Sequence, residues 1–387
     1  MQYLKVASIL FFITGIMLVI MSAYNIVSFH RSNVYSLPNN ELPENNVYAS
    51  ENELPDIFYI IVDGYGRQDI LNELYDFDNS EFIDSLEQRG FYVAQKSMSN
   101  YCQTTLSLAS SLNLDYINNL VQDLDEDSLN RHPVIDLIKN NRVMNKFEKM
   151  GYYRTSFFTP YSPVNIKEVE NYQRRTFPLN EFSHFIINKT MLPLFLRDVQ
   201  YDFYRKDILH IINNLSGSMH NSKPNFVYAH IIPPHPPFVF DGEGEPLSVN
   251  RNFSFADGSH WPGEREAYIN SYIKHVKFIN SQILEVIDDI LTQSARPIII
   301  IQSDHGPGSG LDWADPLKTD FTERLSILNA YYFFDSDYEQ LHHEITPVNT
   351  FRVIFNQFFN ADFELLKDES YFSTWRYPYK FIEVKDS

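Results

Sequence analysis

Cysteine is almost absent from this chain, because Cys102 is the only one among 387 residues. A single thiol excludes an internal disulfide framework and also a zinc cluster built from cysteines. It leaves the cellular compartment open, because many exported proteins of bacterial type carry no disulfide. A metal site in this protein would therefore rest on oxygen and nitrogen ligands.

Positive charge is also scarce. The chain has 31 basic residues against 50 acidic ones, which gives a net charge of −19. Such a chain repels a phosphate backbone, and it shows no basic stripe that could offset the repulsion. We therefore expect no nucleic-acid partner. The sequence contains no internal repeat, and its 44% hydrophobic content is enough for one large domain or two ordinary ones.

One long stretch without charge stands out, from Val6 to Phe29. At 1.5 Å per residue it is long enough for the roughly 30 Å core of a bilayer. We predict a membrane anchor over residues 1–30, with contact to the membrane through residues 6–29. A cleaved signal peptide is the alternative, but the run is long for one and no clear cleavage site follows. The flanking charges are nearly balanced and give little orientation.

Residues 31–55 are rich in Asn, Glu, Pro and Ser and predict an extended linker, followed by one catalytic domain over residues 56–387. In that domain short apolar runs alternate with longer amphipathic ones. The predicted strands cover residues 57–62, 90–95, 152–159, 225–231, 296–302 and 326–333, and the clearest helices cover 80–90, 134–151 and 266–293. Two of the strands are apolar on both faces, which indicates an α/β/α sandwich around a mostly parallel sheet.

Polar residues follow these two strands at their carboxyl ends, where ligands bind in sheets of this kind. Asp63 and Gly64 follow the strand 57–62, although Asp-Gly is also ordinary turn chemistry. Asp304 and His305 follow the strand 296–302, and both side chains could reach one metal ion there. The next loop contains glycines that would let the backbone pass close to a ligand: Gly306, Gly308 and Gly310.

Two further segments carry candidate chemistry. His230 ends the strand 225–231 and could equally be a core histidine, whereas His235 sits in a stiff proline-rich loop. The stretch SNYCQTTLSLASSLN, residues 99–113, reads as a helix start rich in hydroxyl groups. A hydroxyl at a helix N-terminus lies beside free N–H groups that bind anions, which suits a nucleophile for phosphoryl transfer.

The segments IIVDGYGR, NYCQTTLSLASSLN, AHIIPPHPPF and IIQSDHGPGSG occur in an order that resembles the alkaline phosphatase and sulfatase superfamily. The chain is most similar to its sulfatase-like branch, which contains lipoteichoic acid synthases and phosphoethanolamine transferases. The likeness covers roughly residues 55–360. It implies that Asp63, Asp304 and His305 bind a divalent metal together with the nucleophile, and that His235 contacts the transferred phosphate.

The resemblance also favours Thr104 over Thr105 as the nucleophile, because the transferases have a serine three residues later and Ser107 fits only Thr104. Asn100 could donate to a phosphoryl oxygen or simply cap a turn. His235, with His230 as second candidate, would protonate the leaving alcohol. Trp261 and Arg265 are candidates for substrate binding.

Several features differ from the relatives. Cys102 is not followed by the Pro and Arg of the sulfatase signature, which disfavours sulfate-ester chemistry. No Asp-x-x-x-His pattern accompanies His230 and His235, which favours one metal ion over two; Mn, Zn, Mg and Ca stay open. The transferases usually have several membrane helices, but this chain shows one.

Together with the apolar run, the resemblance implies a metal-dependent phosphotransferase of the cell membrane, anchored by a single pass with its catalytic domain on the extracytoplasmic side. It would move a phosphoglycerol or phosphoethanolamine head group from a lipid to an envelope glycan or lipid through a phosphothreonine. A sulfatase-like hydrolase is the alternative, and a non-catalytic binding protein of the same fold is the second alternative.

Overall fold

The computed structural model describes residues 2–32, 54–122 and 124–385. It divides into two units, Met1–Pro38 and Asn39–Ser387, and each is described by itself. The predicted linker falls almost entirely on residues 33–53, which lie outside the described residues. The first unit contributes one helix, α1 (Gln2–Ser32), whose segment Lys5–Ser28 is long and apolar enough to cross a membrane.

The second unit alternates strands and helices along the chain. Its strands are β1 (Asp56–Val62), β2 (Tyr92–Val93), β3 (Tyr153–Phe157), β4 (Asn171–Gln173), β5 (Asn225–Ile231), β6 (Pro297–Gln302), β7 (Asn329–Phe333), β8 (Ser370–Phe372) and β9 (Ile382–Val384). Its α-helices are α2 (Gln68–Tyr75), α3 (Ser80–Gln88), α4 (Thr104–Asn113), α5 (Ile117–Leu120), α6 (His132–Lys139), α7 (Arg142–Lys149), α8 (Glu181–Asn188), α9 (Pro193–Leu215), α10 (Arg265–Gln293), α11 (Phe321–Leu325) and α12 (Pro347–Phe359).

Seven strands form one mixed sheet in the order β2-β7-β6-β1-β5-β3-β4, and β8 pairs with β9 in a small separate sheet. Strands β6, β1, β5, β3 and β4 run parallel, whereas β7 is antiparallel to both of its neighbours. The predicted α/β fold with a mostly parallel sheet is confirmed. The parallel strands end together at one edge of the sheet, and that edge carries the candidate site.

The central strand β1 shows why the sheet lies between two helical layers. Because successive side chains point to opposite faces, Phe58 and Ile60 pack into a core with residues of α9 and α10. Tyr59 points the other way, with its ring 5.0 Å from that of Phe351 on α12 and its hydroxyl on Ser111 of α4. Burial of each such side chain contributes about 1.5–3 kcal/mol, so both layers hold the strand in register.

Two predicted elements differ in extent. The helix predicted over 134–151 is two helices, α6 and α7, because Asn140 ends the first and the side chain of Asn141 caps the second by accepting from Met144 N–H. The strand predicted over 90–95 shrinks to Tyr92–Val93, a short edge strand. The other predicted strands are present with shifts of up to three residues at their ends.

Candidate active site

Three buried side chains converge where β1, β5 and β6 end. Asp63 follows β1, His230 is the penultimate residue of β5, and Asp304 comes two residues after β6. One oxygen or nitrogen atom of each lies within 4.8 Å of the corresponding atoms of the other two. Asp63 Oδ2 is 3.5 Å from His230 Nε2. The sheet thus builds a ligand set of two carboxylates and one imidazole, as suits a divalent cation.

The convergent atoms lack ordinary partners. Asp63 Oδ1, Asp304 Oδ2 and both ring nitrogens of His230 are buried and accept or donate no hydrogen bond among the described residues. Burial and the neighbouring Asp304 carboxylate raise the pKa of Asp63 well above its usual value, and burial raises that of Asp304. Burial also lowers the pKa of His230 to about 3. Orphaned polar atoms of this kind are rare in protein cores, and a bound cation would satisfy them. The residues therefore fit a divalent metal.

His305 joins this cluster to Thr104. The ring Nδ1–H of His305 donates to the Gly306 carbonyl at 2.9 Å, so Nε2 carries the lone pair in the neutral ring. Nε2 lies 3.1 Å from Thr104 Oγ1, 3.4 Å from Asp63 Oδ1 and 3.3 Å from Asp304 Oδ2. Burial, with the charges of Arg324 and His235, lowers the pKa of His305 well below its usual value and keeps Nε2 free to accept or ligate.

Thr104 is the first residue of α4, whose N-terminus has no side-chain cap. The first N–H groups of a helix have no intrahelical partner, and together with the helix dipole they favour an anion. Thr104 lines the cleft, is partly exposed and contacts His305 through its hydroxyl. Thr105 also lines the cleft, but it is buried and makes no hydrogen bond with Asp63, His230, Asp304 or His305 among the described residues. The geometry therefore distinguishes the two threonines.

A second group of charges lies across the cleft. His235 donates Nδ1–H to the Pro236 carbonyl at 2.6 Å, and its Nε2 is 3.7 Å from Asp257 Oδ2. Asp257 also accepts from Arg324 Nη1 at 2.8 Å and from the Tyr268 hydroxyl at 2.7 Å. Burial alone would raise the pKa of Asp257, but His235, Arg324 and Tyr268 together hold it below its usual value. This side of the cleft is therefore a carboxylate that lies between a guanidinium and an imidazole.

The glycines of the site serve close packing within the protein. Gly64 has φ +70°, a conformation that disfavours side chains, and lies against His235 and His305. A Cβ on Gly306 would lie 2.1 Å from the Glu323 carbonyl oxygen, and one on Gly308 would lie 2.5 Å from the Asp257 carboxylate. The predicted close approach of the loop 306–310 to a ligand stays a prediction; the structure shows that Gly306 and Gly308 also allow close packing against protein atoms.

These groups open into a cleft of about 350 Å³. Its lining includes Asp63, Thr104, His235 and His305, together with aromatic and polar side chains from several loops: Gln103, Tyr161, Glu181, Phe185, Phe253, Asp257, His260, Trp313, Arg324 and Trp375. The cleft thus places a hydroxyl, an imidazole and a guanidinium around one space large enough for a phosphodiester head group.

Four predicted residues lie elsewhere. His230 does not line the cleft and is buried behind Asp63, so it cannot reach a leaving group and is placed as a ligand candidate instead. Asn100 is fully buried; its amide donates to Thr346 Oγ1 and accepts from Val348 N–H. Trp261 packs against core aromatics, and exposed Arg265 at the start of α10 does not line the cleft.

The sequence reasoning missed Asp257 and Arg324. Asp257 lies in the irregular segment before α10, and Arg324 lies in the five-residue helix α11, so neither follows a predicted strand end. Arg324 donates Nε–H to the Cys102 carbonyl at 2.9 Å, which ties it to the segment before Thr104. A buried Arg in a short polar segment gives no sequence signal of its own.

Comparison with known proteins assigns the fold to a family. A family model described as Sulfatase matches residues 55–354, which is most of the chain. The chain belongs to the sulfatase family. The resemblance found in the sequence is thereby confirmed. No curated protein sequence matches this sulfatase-family chain significantly.

Solved structures share the fold of this sulfatase domain at low sequence identity. The C-terminal periplasmic domain of EcEptC from Escherichia coli in complex with Zn has a TM-score of 0.53 and 11% identity, with 86% of this chain and 93% of that chain covered. The lipooligosaccharide phosphoethanolamine transferase A from Neisseria meningitidis has a TM-score of 0.51 and 13% identity, with 88% of this chain and 61% of that chain covered. The Streptococcus pyogenes phosphoglycerol transferase GacH, in complex with sn-glycerol-1-phosphate, has a TM-score of 0.50 and 11% identity, with 80% of this chain and 75% of that chain covered.

Proposed function

We propose that this sulfatase-family protein is a membrane-anchored, divalent-metal-dependent phosphotransferase. It moves a phosphoglycerol or phosphoethanolamine head group from a lipid to an acceptor hydroxyl on the extracytoplasmic side. The observation that carries the proposal is the contact between the Thr104 hydroxyl and His305 at the edge of the Asp63, His230 and Asp304 cluster. The transferases that share the fold support the direction of the proposal.

The metal would be held by Asp63, His230, Asp304 and His305, with Thr104 beside it. When bound, the cation would stabilise the alkoxide form of Thr104 and the charge on the phosphoryl oxygens. A Zn complex among the structures of this fold is consistent with this ligand set, which also suits Mn.

The proposed reaction has two steps, each a displacement at phosphorus. Thr104 Oγ1 gives its proton to solvent and, as the alkoxide, forms a bond to phosphorus while the bond from phosphorus to the diacylglycerol oxygen breaks. The departing lipid alkoxide takes a proton from His235 Nε2. The N-terminus of α4 and Arg324 face the phosphoryl oxygens. The acceptor hydroxyl then attacks the phosphothreonine, His235 recovers its proton from that hydroxyl, and Thr104 is released.

Asp257 supports the acid. Its carboxylate faces His235 Nε2 and stabilises the protonated ring that the first displacement requires. The Nδ1–H bond to Pro236 fixes the ring so that Nε2 points into the cleft. Water in place of the acceptor hydroxyl would make the same residues a phosphodiesterase, so transfer and hydrolysis differ only in the second step.

The test uses the full chain in detergent with labelled phosphatidylglycerol or phosphatidylethanolamine. We expect metal-dependent release of diacylglycerol that Thr104→Ala abolishes and that Thr105→Ala leaves within a few-fold of the parent. Label on an added polyol or glycan acceptor would support transfer, and free glycerol phosphate or phosphoethanolamine would support hydrolysis. Absence of turnover with both lipids at saturating metal would contradict the lipid-dependent reaction.

A further inference from the structure

A surface of exposed apolar side chains lies on α8 and the start of α9. On α8 these are Phe182, Phe185 and Ile186, at the i, i+3 and i+4 spacing of one helix face. We call this surface the α8 patch; it comprises Phe177, Phe182, Phe185, Ile186, Met191, Leu192, Phe195 and Val199. The side chains of Phe182 and Phe195 are 68% and 79% exposed. Large aromatics grouped in this way on a protein surface mark an interaction site.

The opposite face of α8 is already used for folding. The His184 ring stacks on Phe253 with ring centroids 3.8 Å apart, and the Asn188 amide donates to the Phe253 carbonyl at 2.7 Å. The helix is therefore held by His184 and Asn188 on its inner face, while about half or more of each apolar side chain on its outer face is exposed. This is the reverse of a normal surface helix, whose apolar face is the one that packs.

The α8 patch is continuous with the cleft. Glu181, His184, Phe185 and Asn188 of α8 line the cleft, and Phe185 belongs both to that lining and to the patch. A molecule whose apolar part rests on the patch can therefore present its polar part to Thr104 without leaving the surface of the domain.

The charge around the patch differs from that of the chain. Residues 174–199 contain four basic side chains (Arg174, Arg175, Lys189 and Arg197) and two acidic ones (Glu181 and Asp198), a local net charge of +2 in a chain of net charge −19. The Lys189 ammonium lies 5.3 Å from the centre of the Phe185 ring. Aromatic side chains with Lys and Arg beside them suit the boundary between acyl chains and anionic head groups.

We propose that the α8 patch docks on the surface of an anionic lipid bilayer. The side chains of Phe182, Phe195 and their neighbours enter the head-group region, and the mouth of the cleft rests on the membrane. The chain begins with a helix apolar enough to cross a membrane, which keeps a bilayer within reach.

A bilayer suits this patch better than a second copy of the chain. The patch is locally basic, with a net charge of +2 over residues 174–199, so its charge is complementary to anionic lipid and not to the same patch on a second copy. The inference needs only a bilayer and an exposed patch, and it holds or fails independently of the proposed reaction.

The test uses the full chain in vesicles of phosphatidylcholine with phosphatidylglycerol. An environment-sensitive fluorophore is attached to Phe182→Cys, Phe195→Cys or the control Ser222→Cys, which lies in the exposed loop before β5, at the sheet edge opposite the cleft. Wild-type protein reports background labelling, because its only cysteine is buried. Nitroxide-labelled lipids that quench at head-group depth provide the readout. Each variant must keep the wild-type melting temperature, since all three positions are exposed.

We expect quenching at Phe182→Cys and Phe195→Cys several-fold stronger than at Ser222→Cys, and weaker in vesicles of phosphatidylcholine alone. Equal quenching at all three positions would overturn the proposal. A blue shift at the patch positions without quenching would also overturn it, because another protein surface would then cover the patch. Quenching that does not depend on phosphatidylglycerol would overturn the preference for anionic lipid.

Discussion

The Thr104 hydroxyl lies 3.1 Å from Nε2 of His305, a residue 201 positions later in the chain. The contact exists because α4 begins at the edge of the sheet where β6 ends. The same Nε2 atom lies 3.4 Å from Asp63 Oδ1 and 3.3 Å from Asp304 Oδ2, two carboxylate oxygens that have no hydrogen-bond partner among the described residues. A hydroxyl, a helix start that suits an anion and a set of side chains that suits a cation therefore share one place in the fold.

The ligand set predicts the metal content. Purified full chain should carry one divalent ion, and Asp63→Asn, His230→Asn and Asp304→Asn should each weaken its binding by more than about 100-fold, since even partners that only orient a ligand are worth 10–100-fold. Metal analysis after dialysis measures this directly. Asp257→Asn is the matched control, because it changes a buried carboxylate outside the cluster; it should keep the ion. Full occupancy in His230→Asn would remove His230 from the ligand set.

His235 should matter most for poor leaving groups. With an alkyl phosphodiester, His235→Ala should lower kcat by about 100- to 10,000-fold, because the departing alkoxide needs the proton. With a nitrophenyl diester, whose leaving group is stable without a proton, the loss should be much smaller. Comparison of the two substrates provides the measurement. Equal losses on both would assign His235 to binding instead of proton transfer.

Asp257 acts on the reaction through His235. Asp257→Asn removes the charge that faces Nε2 but keeps similar volume, and it should lower kcat on alkyl diesters by about 10- to 100-fold. The alkaline limb of the pH profile should also move to lower pH, since the acid must stay protonated and the protonated imidazole loses its anionic neighbour. A purely structural role would lower the melting temperature and leave the shape of the pH profile unchanged.

Asn100 should be a residue of stability and not of substrate binding. Its buried amide connects the segment before α4 to the start of α12 through Thr346 and Val348. Asn100→Ala removes the bond to Thr346 and leaves the buried Val348 N–H without its acceptor, so we expect a loss of about 2–4 kcal/mol in the free energy of unfolding. Denaturant titration measures it. KM for the diester should stay within about two-fold of the parent; a tenfold rise in KM with normal stability would restore the role in substrate binding that the sequence suggested.

The buried imidazole of His184 should make the free energy of unfolding depend on pH. Burial lowers its pKa to about 4, against about 6.5 in an unfolded chain. The contribution of the neutral His184 ring to the free energy of unfolding is therefore complete above about pH 6.5. It is lost as the pH falls towards about 4, because only the unfolded state takes up the proton over that range. His184→Asn should remove about 2–3 kcal/mol of the stability difference between pH 7 and pH 4. Identical pH dependence in parent and variant would contradict this.

Much of the site could be predicted, because several of its residues stand next to recognisable strands in the sequence. Asp63, Asp304 and His305 stand directly after runs of strand-forming residues, and parallel strands bring their carboxyl ends to one edge. Asp257 and Arg324 have no such marker, because their positions depend on how irregular segments pack against each other. The sequence also could not decide whether His230 is a metal ligand or a general acid, since that depends on the depth of its ring below the cleft.

The central claim is that Thr104 carries the phosphoryl group during turnover. Mass spectrometry of full-length protein, acid-quenched within one turnover of a phosphodiester substrate, tests it most directly. We predict a covalent phospho-adduct on the peptide that contains residues 99–113, assigned to Thr104 by fragmentation, present in Thr105→Ala and absent in Thr104→Ala. An adduct on another residue, or undiminished turnover by Thr104→Ala without any adduct, would contradict the account.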